Sequence, residues 1–544
     1  MLKRIALASL LGLLAGPALS ATIPPANLGA GAAQNRTEQT QAYYQRQENT
    51  QQPQAAKNPI INAPEAGSKK ANVNAGPRFE LKAVKFSASH FLSPKTLQSI
   101  VAPYVGHSVH VGALRKIVAD VNKRYIQRDI YTARAVLPPQ KIRNGVVHIQ
   151  LIEGKLGALE IKHNTYTRAG FITSRLGQTP GQVVNGAQLK RNLIFFNRTS
   201  DIQLHALLQP GAETGLTRIL LLSEEPNRIS IDPFIDNAGA DSTGRYRGGL
   251  SFRWFDPLGM DDRFDGYFVG SRGDLSGFAS YSLPVNHANG RLGVSYSRNA
   301  INIVHGPFQQ LDITGHSSTV SLNFTQPLIA TQRWLLTWAS AGSFATSQTD
   351  AAHQKIADST TEQLSTGLTL QQTTGHHRWS LTQTVGGLHS KETLDNQHLF
   401  FVYDMQASYL QTFGASPYSL SLNVDGQYAP AKQLPSQNLF QIGGINSVRG
   451  YEQGVIAGSS GFYGQLEFHR RLLSWLGAFV FVDGGGVYQS FPQTQYLDST
   501  GVGLSATYRH WVSIDFSAGY PLKTVTPSQD NYRLGFRITG YWSP

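Results

Sequence analysis

Residues 532–542 read Tyr532-Arg533-Leu534-Gly535-Phe536-Arg537-Ile538-Thr539-Gly540-Tyr541-Trp542, and the parity of their side chains decides the fold class. Tyr532, Leu534, Phe536, Ile538 and Trp542 share one parity, while Arg533, Gly535, Arg537 and Thr539 share the other. In a strand successive side chains point to opposite faces, so one face of this segment is apolar and the other polar or small. The pattern recurs upstream. Leu292, Val294 and Tyr296 alternate with Gly293, Ser295 and Ser297; Val320, Leu322 and Phe324 with Ser321, Asn323 and Thr325; Leu420, Leu422 and Val424 with Ser421 and Asn423. A soluble sandwich is the alternative, but there every apolar face must pack on a second sheet. A membrane barrel gives its apolar face to lipid and its polar face to the lumen, and each crossing needs only ~9–11 residues. The 318 residues after Pro226 would supply about 16 strands at roughly 20 residues each with its connection. The predicted fold is an antiparallel transmembrane β-barrel over residues 228–544, wide enough at that strand number for an aqueous channel.

Composition agrees with crossing by strands. Of 544 residues only 15% are charged, against ~25% in an average soluble protein, and that is too little for a typical nucleic-acid binder, although the net charge is +13. The excess suits either acidic lipid headgroups around the barrel or a basic lumen. Mean hydropathy is -0.24, and after the amino terminus no run approaches the ~18 apolar residues of a spanning helix. There are no cysteines, which excludes disulfides, thiolate metal sites and cysteine nucleophiles. Lys3 and Arg4, the apolar stretch 5–15 and Ala18-Leu19-Ser20 have the order of a secretory signal peptide, assigned to residues 1–20.

Residues 21–76 are rich in Gln, Asn, Ala and Pro, the composition of a linker. Within them 34–52 lack Pro and Gly and suit either a polar helix without an apolar stripe, which needs water or a polar cavity around it, or plain disorder. From 77 to 227 the pattern becomes two α+β modules in tandem, 77–153 and 154–227. In the first, 79–86 predicts a strand, Ser93-Pro94 a helix start, and Val111, Leu114, Val118, Val121 and Tyr125 one buried helical face, followed by strands at 131–137 and 146–152. The second repeats the order with strands at 156–162, 202–208 and 216–222 and helices around 171–176 and 189–196.

Taken together these features resemble the outer-membrane transporters of two-partner (type V) secretion, the filamentous-haemagglutinin and haemolysin exporters, over nearly the whole chain. In the first module the resemblance rests on Tyr125-Ile126-Gln127-Arg128, Leu137-Pro138-Pro139-Gln140, Gly145 and Glu153-Gly154, which match the family's POTRA domain. Asp129-Ile130 departs from it, since the family often has Gly followed by an aromatic or aliphatic residue, and the turn there is expected to differ. Pro210-Gly211 and Gly215 resemble the hairpin of a second POTRA domain, and Asp236-Asn237-Ala238-Gly239 with Thr243-Gly244 the first barrel hairpin. The most specific likeness is Gly443-Gly444-Ile445-Asn446-Ser447-Val448-Arg449-Gly450-Tyr451 with Phe481-Val482-Asp483-Gly484-Gly485.

The resemblance implies that the loop carrying Val448, Arg449, Gly450 and Tyr451 folds into the lumen, where Arg449 meets Asp483 in the wall motif of Phe481, Asp483 and Gly485. Strand parity allows it, with Val480 and Val482 toward lipid. The resemblance also implies a plug role for the polar helix and an unfolded secreted exoprotein as partner. It places the barrel in the Gram-negative outer membrane, with its lipid and the barrel-insertion machinery as further partners and the modules in the periplasm. Because an open sheet edge binds main chain of many sequences, the exoprotein is expected at the strands 131–137 and 202–208. Candidate residues are Leu114, Val118, Val121, Tyr125, Tyr131, Ala135, Leu189, Leu193 and Phe196, each of which also fits plain core. No cofactor, metal or catalytic residue is expected. There is no Gly-x-x-x-x-Gly-Lys-Ser/Thr loop, no His-Glu-x-x-His and no Gly-x-Ser-x-Gly, and His376-His377 beside Trp379 reads as surface. The alternatives are a barrel-assembly factor of the same superfamily and, less favoured, a surface enzyme. The ending Trp542-Ser543-Pro544 departs from the family's usual terminus, where a final aromatic is customary, so recognition by the insertion machinery is expected to depend on Trp542 with a short overhang.

Overall fold

The computed structural model describes residues 28–51, 59–61, 75–213, 215–392, 397–431, 433–488, 495–509, 511–527 and 529–543. The expected signal peptide lies outside them. Sixteen antiparallel strands close into a barrel, from Ile229–Asp236 to Arg533–Gly540. Neighbours in sequence pair throughout, except that residues 429–459 intervene between Tyr418–Tyr428 and Ser460–Arg471 and carry their own small hairpin, Phe440–Ile442 with Ile456–Gly458. The alternation read from the sequence is the alternation of the wall. Leu292, Val294, Val320, Leu322, Val502 and Leu534 face outward, while Ser297, Asn299, Ser317, Thr349, Arg537 and Thr539 are buried inside.

The seven tryptophans fix the level of the membrane. Trp254, Trp334, Trp338, Trp379, Trp475, Trp511 and Trp542 all fall at or near the barrel end marked by the short turns, the end that also carries the modules. Indole sits best between hydrocarbon and water, so this girdle marks the membrane interface on the side of the modules.

The modules contain the predicted helices and strands with shifted ends, and the first adds an unpredicted strand, His107–His110, between its two helices. The first consists of strands β2 (Arg78–Leu81), β3 (Ala83–Phe86), β4 (His107–His110), β5 (Ala133–Val136) and β6 (Val146–Glu153), with helices α2 (Pro94–Val101) and α3 (Val111–Gln127). The stretch 79–86 is two strands rather than one. The chain breaks at Lys82, whose amide bonds to the Gly145 carbonyl at 2.8 Å; Gly145 has φ +69 and lies so close that an added Cβ would stand 2.5 Å from the Glu80 oxygen. The buried face of α3 is Leu114, Ile117, Val121 and Tyr125, with Val118 at its margin. The second module has β7 (Lys155–Lys162), β8 (Gln203–Pro210), β9 (Leu216–Glu224), α4 (Ala169–Thr173) and α5 (Gly186–Thr199). Its core takes Leu189, Leu193 and Phe196. Most of the residues nominated for exoprotein binding are thus interior: Leu114, Val121, Tyr125, Ala135, Leu189, Leu193 and Phe196 are fully buried, while Val118 and Tyr131 keep some exposed surface.

Motif residues of the first module meet one another. The Glu153 carboxylate accepts from Ser89 Oγ at 2.5 Å, the His90 amide at 2.8 Å and the Tyr125 hydroxyl at 3.0 Å, so the tyrosine that ends the helix and the glutamate that ends the module are one network. Burial by itself would raise this carboxyl, but the bonds from Ser89, His90 and Tyr125 outweigh it and hold Glu153 below the ordinary glutamate value. A carboxyl depressed on folding stabilises above its unfolded value, and that contribution disappears as pH falls through the folded value. Acidification below the usual glutamate range should therefore lower the melting temperature of the first module, and Glu153→Gln should flatten that dependence while costing about 2 kcal/mol at neutral pH. Circular dichroism melts across pH check both. The departure at Asp129 is also resolved. It adopts φ +58 in place of the family's glycine, and its carboxylate accepts from the Tyr131 hydroxyl and from Lys190 of the second module, so it braces the joint between the modules.

Charge follows the modules and not the barrel. Residues 228–544 hold 20 Lys+Arg against 22 Asp+Glu, whereas 77–153 hold 12 against 4. Neither headgroups around the barrel nor a basic lumen accounts for the net positive charge; the first module is its largest source.

Candidate functional site in the barrel lumen

Among the described residues, two parts of the chain occupy the lumen without belonging to its ladder. One is the loop between the strands Tyr418–Tyr428 and Ser460–Arg471. Its stem hairpin packs Phe440, Ile442 and Ile456 with Val448, Tyr451 and Tyr463 into an apolar knot. Gly443 and Gly444, at φ +112 and +95, then turn the tip inward, and Ser447 Oγ accepts from the Gly443 amide at 2.9 Å.

At the tip Arg449 points to the wall. Its Nε and Nη2 donate to the two Asp483 oxygens at 2.7 and 2.6 Å, and its own amide donates to Asp483 at 3.0 Å. Nη1 donates to Glu467 at 2.5 Å. The guanidinium lies over the Phe481 ring, 3.7 Å from its centroid. The wall residues adopt the expected parity: Val480 and Val482 are 53% and 57% exposed to the outside, Phe481 and Asp483 2% and 1%. Gly450, at φ +92, runs against Gly519, and Tyr451 donates to the carbonyls of Asp498 and Lys523 at 2.9 and 3.0 Å. Gly485 admits the neighbouring strand, because a Cβ there would meet Phe462 O at 2.5 Å. Every motif residue from Val448 to Gly485 therefore has a positional reason.

Glu467 was not among the sequence candidates. Its signal was parity, since Tyr463, Gln465, Glu467 and His469 form the inward face of a strand whose Phe462, Leu466 and Phe468 face out. His469 Nε2 lies 2.8 Å from its second oxygen.

The other lumenal element is α1 (Ala30–Gln51). It begins four residues before the predicted start because Gly31, which argued against helix, is needed there: an added Cβ would lie 2.9 Å from Ser436 Oγ. The helix is held by polar side chains, as a helix lacking an apolar stripe must be. Gln34 donates to Ser297 at 2.6 Å and to Thr319 at 3.0 Å and accepts from Ser317 at 2.5 Å. Asn35 donates to the Leu439 carbonyl and Arg36 to Gln441, at 2.8 and 3.0 Å. Arg46 Nη1 donates to both Asp425 carboxylate oxygens, each at 3.0 Å.

Tyr44 reaches the barrel's closing seam. First and last strands share only three paired positions, Phe234, Ile235 and Asp236 with Thr539, Ile538 and Arg537, supplemented by an Ile231–Trp542 bridge. On the lumenal side Asp236 accepts from Arg247 at 2.8 and 3.0 Å and from Arg537 at 3.2 Å, while Arg537 is stacked between the rings of Tyr44 and Phe234, 3.8 Å from each. Below α1 a cavity of about 740 Å³ opens among Tyr43, Arg46, His469, Trp475 and Tyr541.

The chain matches known proteins in two parts. Residues 79–154 match the ShlB-type POTRA domain, and residues 215–508 match the haemolysin secretion/activation protein ShlB/FhaC/HecB. It is 26% identical to the outer membrane transporter CdiB of Dickeya dadantii, covering 97% of both chains. It is 25% identical to the heme/hemopexin transporter protein HuxB of Haemophilus influenzae strain 86-028NP, covering 80% of this chain and 82% of that one. Among solved structures CdiB from Escherichia coli superposes with a TM-score of 0.68 at 20% identity, over 96% of this chain and 100% of that one. Family match, barrel and amino-terminal modules place the protein in the outer membrane with its modules in the periplasm. On a match spanning more than half its length, the chain belongs to the haemolysin secretion/activation family, ShlB/FhaC/HecB.

Proposed function

We propose that the protein exports an unfolded exoprotein, received by the periplasmic modules and passed in extended form through the lumen once α1 has left it. The observation that carries this is how the lumen is filled. α1 is fastened by side-chain bonds to the wall and to the 429–459 loop, and it shares no backbone ladder with the barrel, so it can be withdrawn without unpairing a strand. The family's description as secretion/activation proteins supports the direction of traffic.

The linker after α1 adds a means of coupling. Its Ile60–Ile61, strand β1, pairs in parallel with the β8 edge, and the Pro59 carbonyl accepts from the Ala206 amide at 2.8 Å. This is the edge at which an incoming main chain would add. An exoprotein binding there displaces the linker and so loosens the segment that leads to the plug. No nucleotide is needed, because folding outside makes return unfavourable.

Deleting residues 30–51 should raise single-channel conductance in planar bilayers several-fold, and an unchanged conductance would remove the plug. Capture of the exoprotein by chains lacking 77–153 or 154–227 tests the receptor role, since full capture by both would sink it.

A further inference from the structure

The two modules share a device at their open edges. In the first, the Asn122 carboxamide, projecting from α3, accepts from the Ala135 amide at 2.7 Å and donates to the Ala135 carbonyl at 3.3 Å. In the second, Asn197 of α5 accepts from the Leu204 amide at 2.8 Å and donates to the Leu204 carbonyl at 2.9 Å. Each asparagine follows a fully buried residue, Val121 or Phe196. Each serves both backbone groups of one residue on an edge strand, as a neighbouring strand would. In a β-strand such outward rungs recur every second residue, so those of β5 fall at Ala133 and Ala135, with Leu137 next in line just past its end, and those of β8 at Leu204, Ala206 and Leu208, Pro210 having no N–H to offer.

The position of the occupied rung differs between modules. Asn197 holds the first rung of β8, and the linker strand sits on the very next one, with Ala206 bonded to Pro59. Asn122 holds the middle rung of β5, and beyond Leu137 the chain continues Pro138-Pro139, which have no N–H to offer. No run of two free adjacent rungs is left on the β5 edge.

We propose that Asn122 and Asn197 decide where main chain is added: Asn122 closes the β5 edge of the first module to strands, and Asn197 sets the register at which the second module accepts one on β8, starting from Ala206. This rests on the reading that the exoprotein binds by strand addition, and it assigns that step to β8. The first module, with its surplus of Lys and Arg, then contributes through side chains.

The natural absence of cysteine makes trapping clean. The probe is a synthetic peptide of residues 57–63 carrying Ile61→Cys, offered to the full-length chain in detergent with Arg134→Cys on the β5 edge. The same substitution in cis, Ile61→Cys with Leu207→Cys, joins register partners and gives the reference. With Asn122 present, peptide disulfide at residue 134 should stay at the background of a thiol on an exposed loop. Adding Asn122→Ala should raise it at least about fivefold, because three rungs become continuous. Asn122→Leu, which keeps the side-chain volume, should do the same and covers the case in which the alanine variant unfolds. Trapping at residue 134 with Asn122 intact would overturn the proposal, as would no gain in either folded variant. Because the probe is a peptide, both outcomes leave the export reading standing or falling on its own test.

Discussion

Arg449→Glu is expected to cut export of the exoprotein by more than about tenfold, because it leaves Asp483 and Glu467 buried without their counter-charge, a loss worth about 3–5 kcal/mol. The native arginine is a fork between two acids: Nε and Nη2 serve Asp483, Nη1 serves Glu467, and Phe481 lies against its face. A glutamate there puts three carboxylates around one buried point. The tip then has no reason to stay on the wall, and the knot of Val448, Tyr451 and Phe440 behind it loses its anchor. Arg449→Lys separates charge from geometry. Lysine keeps the positive charge but lacks the planar fork, so it should fall between wild type and glutamate, with Glu467→Gln milder than either. Secretion into the medium, read beside the heat-dependent gel shift of the folded barrel, checks the order. Wild-type secretion by Arg449→Glu in a barrel that still inserts would show that the contact has no part in export.

The ranking of effects reflects which parts of the site the sequence discloses. The barrel was legible because lipid imposes a period of two on hundreds of residues, and no local choice can hide it. Arg449 and Asp483 were legible as motifs, and parity put Asp483 inside. Glu467 obeys the same parity but stands in no motif, and only the loop's depth brings it to Arg449. The helix α1 starts ahead of 34 because the Pro- and Gly-free window leaves out Gly31, whose place is set by close approach to Ser436. The break at Lys82 depends on Gly145, more than sixty residues away in sequence, and strand pattern alone does not reveal such a long-range approach. Asn122 and Asn197 gave no signal at all, since an asparagine on a helix ordinarily faces water; their partners Ala135 and Leu204 are defined only by the edge of a folded sheet. Composition misled in one respect: the net charge belongs to the first module, which a total over the whole chain conceals.

Fixing α1 in the lumen should stop export as completely as removing the Arg449 contact, and reversibly. Ala30→Cys with Thr349→Cys is the pair of choice, because Thr349 Oγ1 already lies 3.3 Å from the Ala30 amide nitrogen and a sulfur in its place reaches the foot of the residue-30 side chain. Thr349 belongs to the wall strand Trp334–Ala351, which has ladder partners on both sides, so the cross-link ties the helix to a part of the barrel that does not move independently. Ala33→Cys with Ile301→Cys, residues of one apolar contact, provides a second pair on another strand. With no native cysteine, no other disulfide competes. If α1 has to leave for the lumen to conduct a chain, the oxidised protein should show export lower by at least about tenfold, within the several kcal/mol a disulfide adds against opening, and a reductant should restore it. The bonds holding α1 are polar contacts worth about 1 kcal/mol each, somewhat more where charged. Binding of an exoprotein at the modules can offset a handful of such contacts, whereas it cannot break a covalent link. Export that persists with the cross-link quantitatively formed would mean that the chain passes beside a seated helix, and the cavity among Tyr43, His469 and Trp475 would then be part of the route in the resting state.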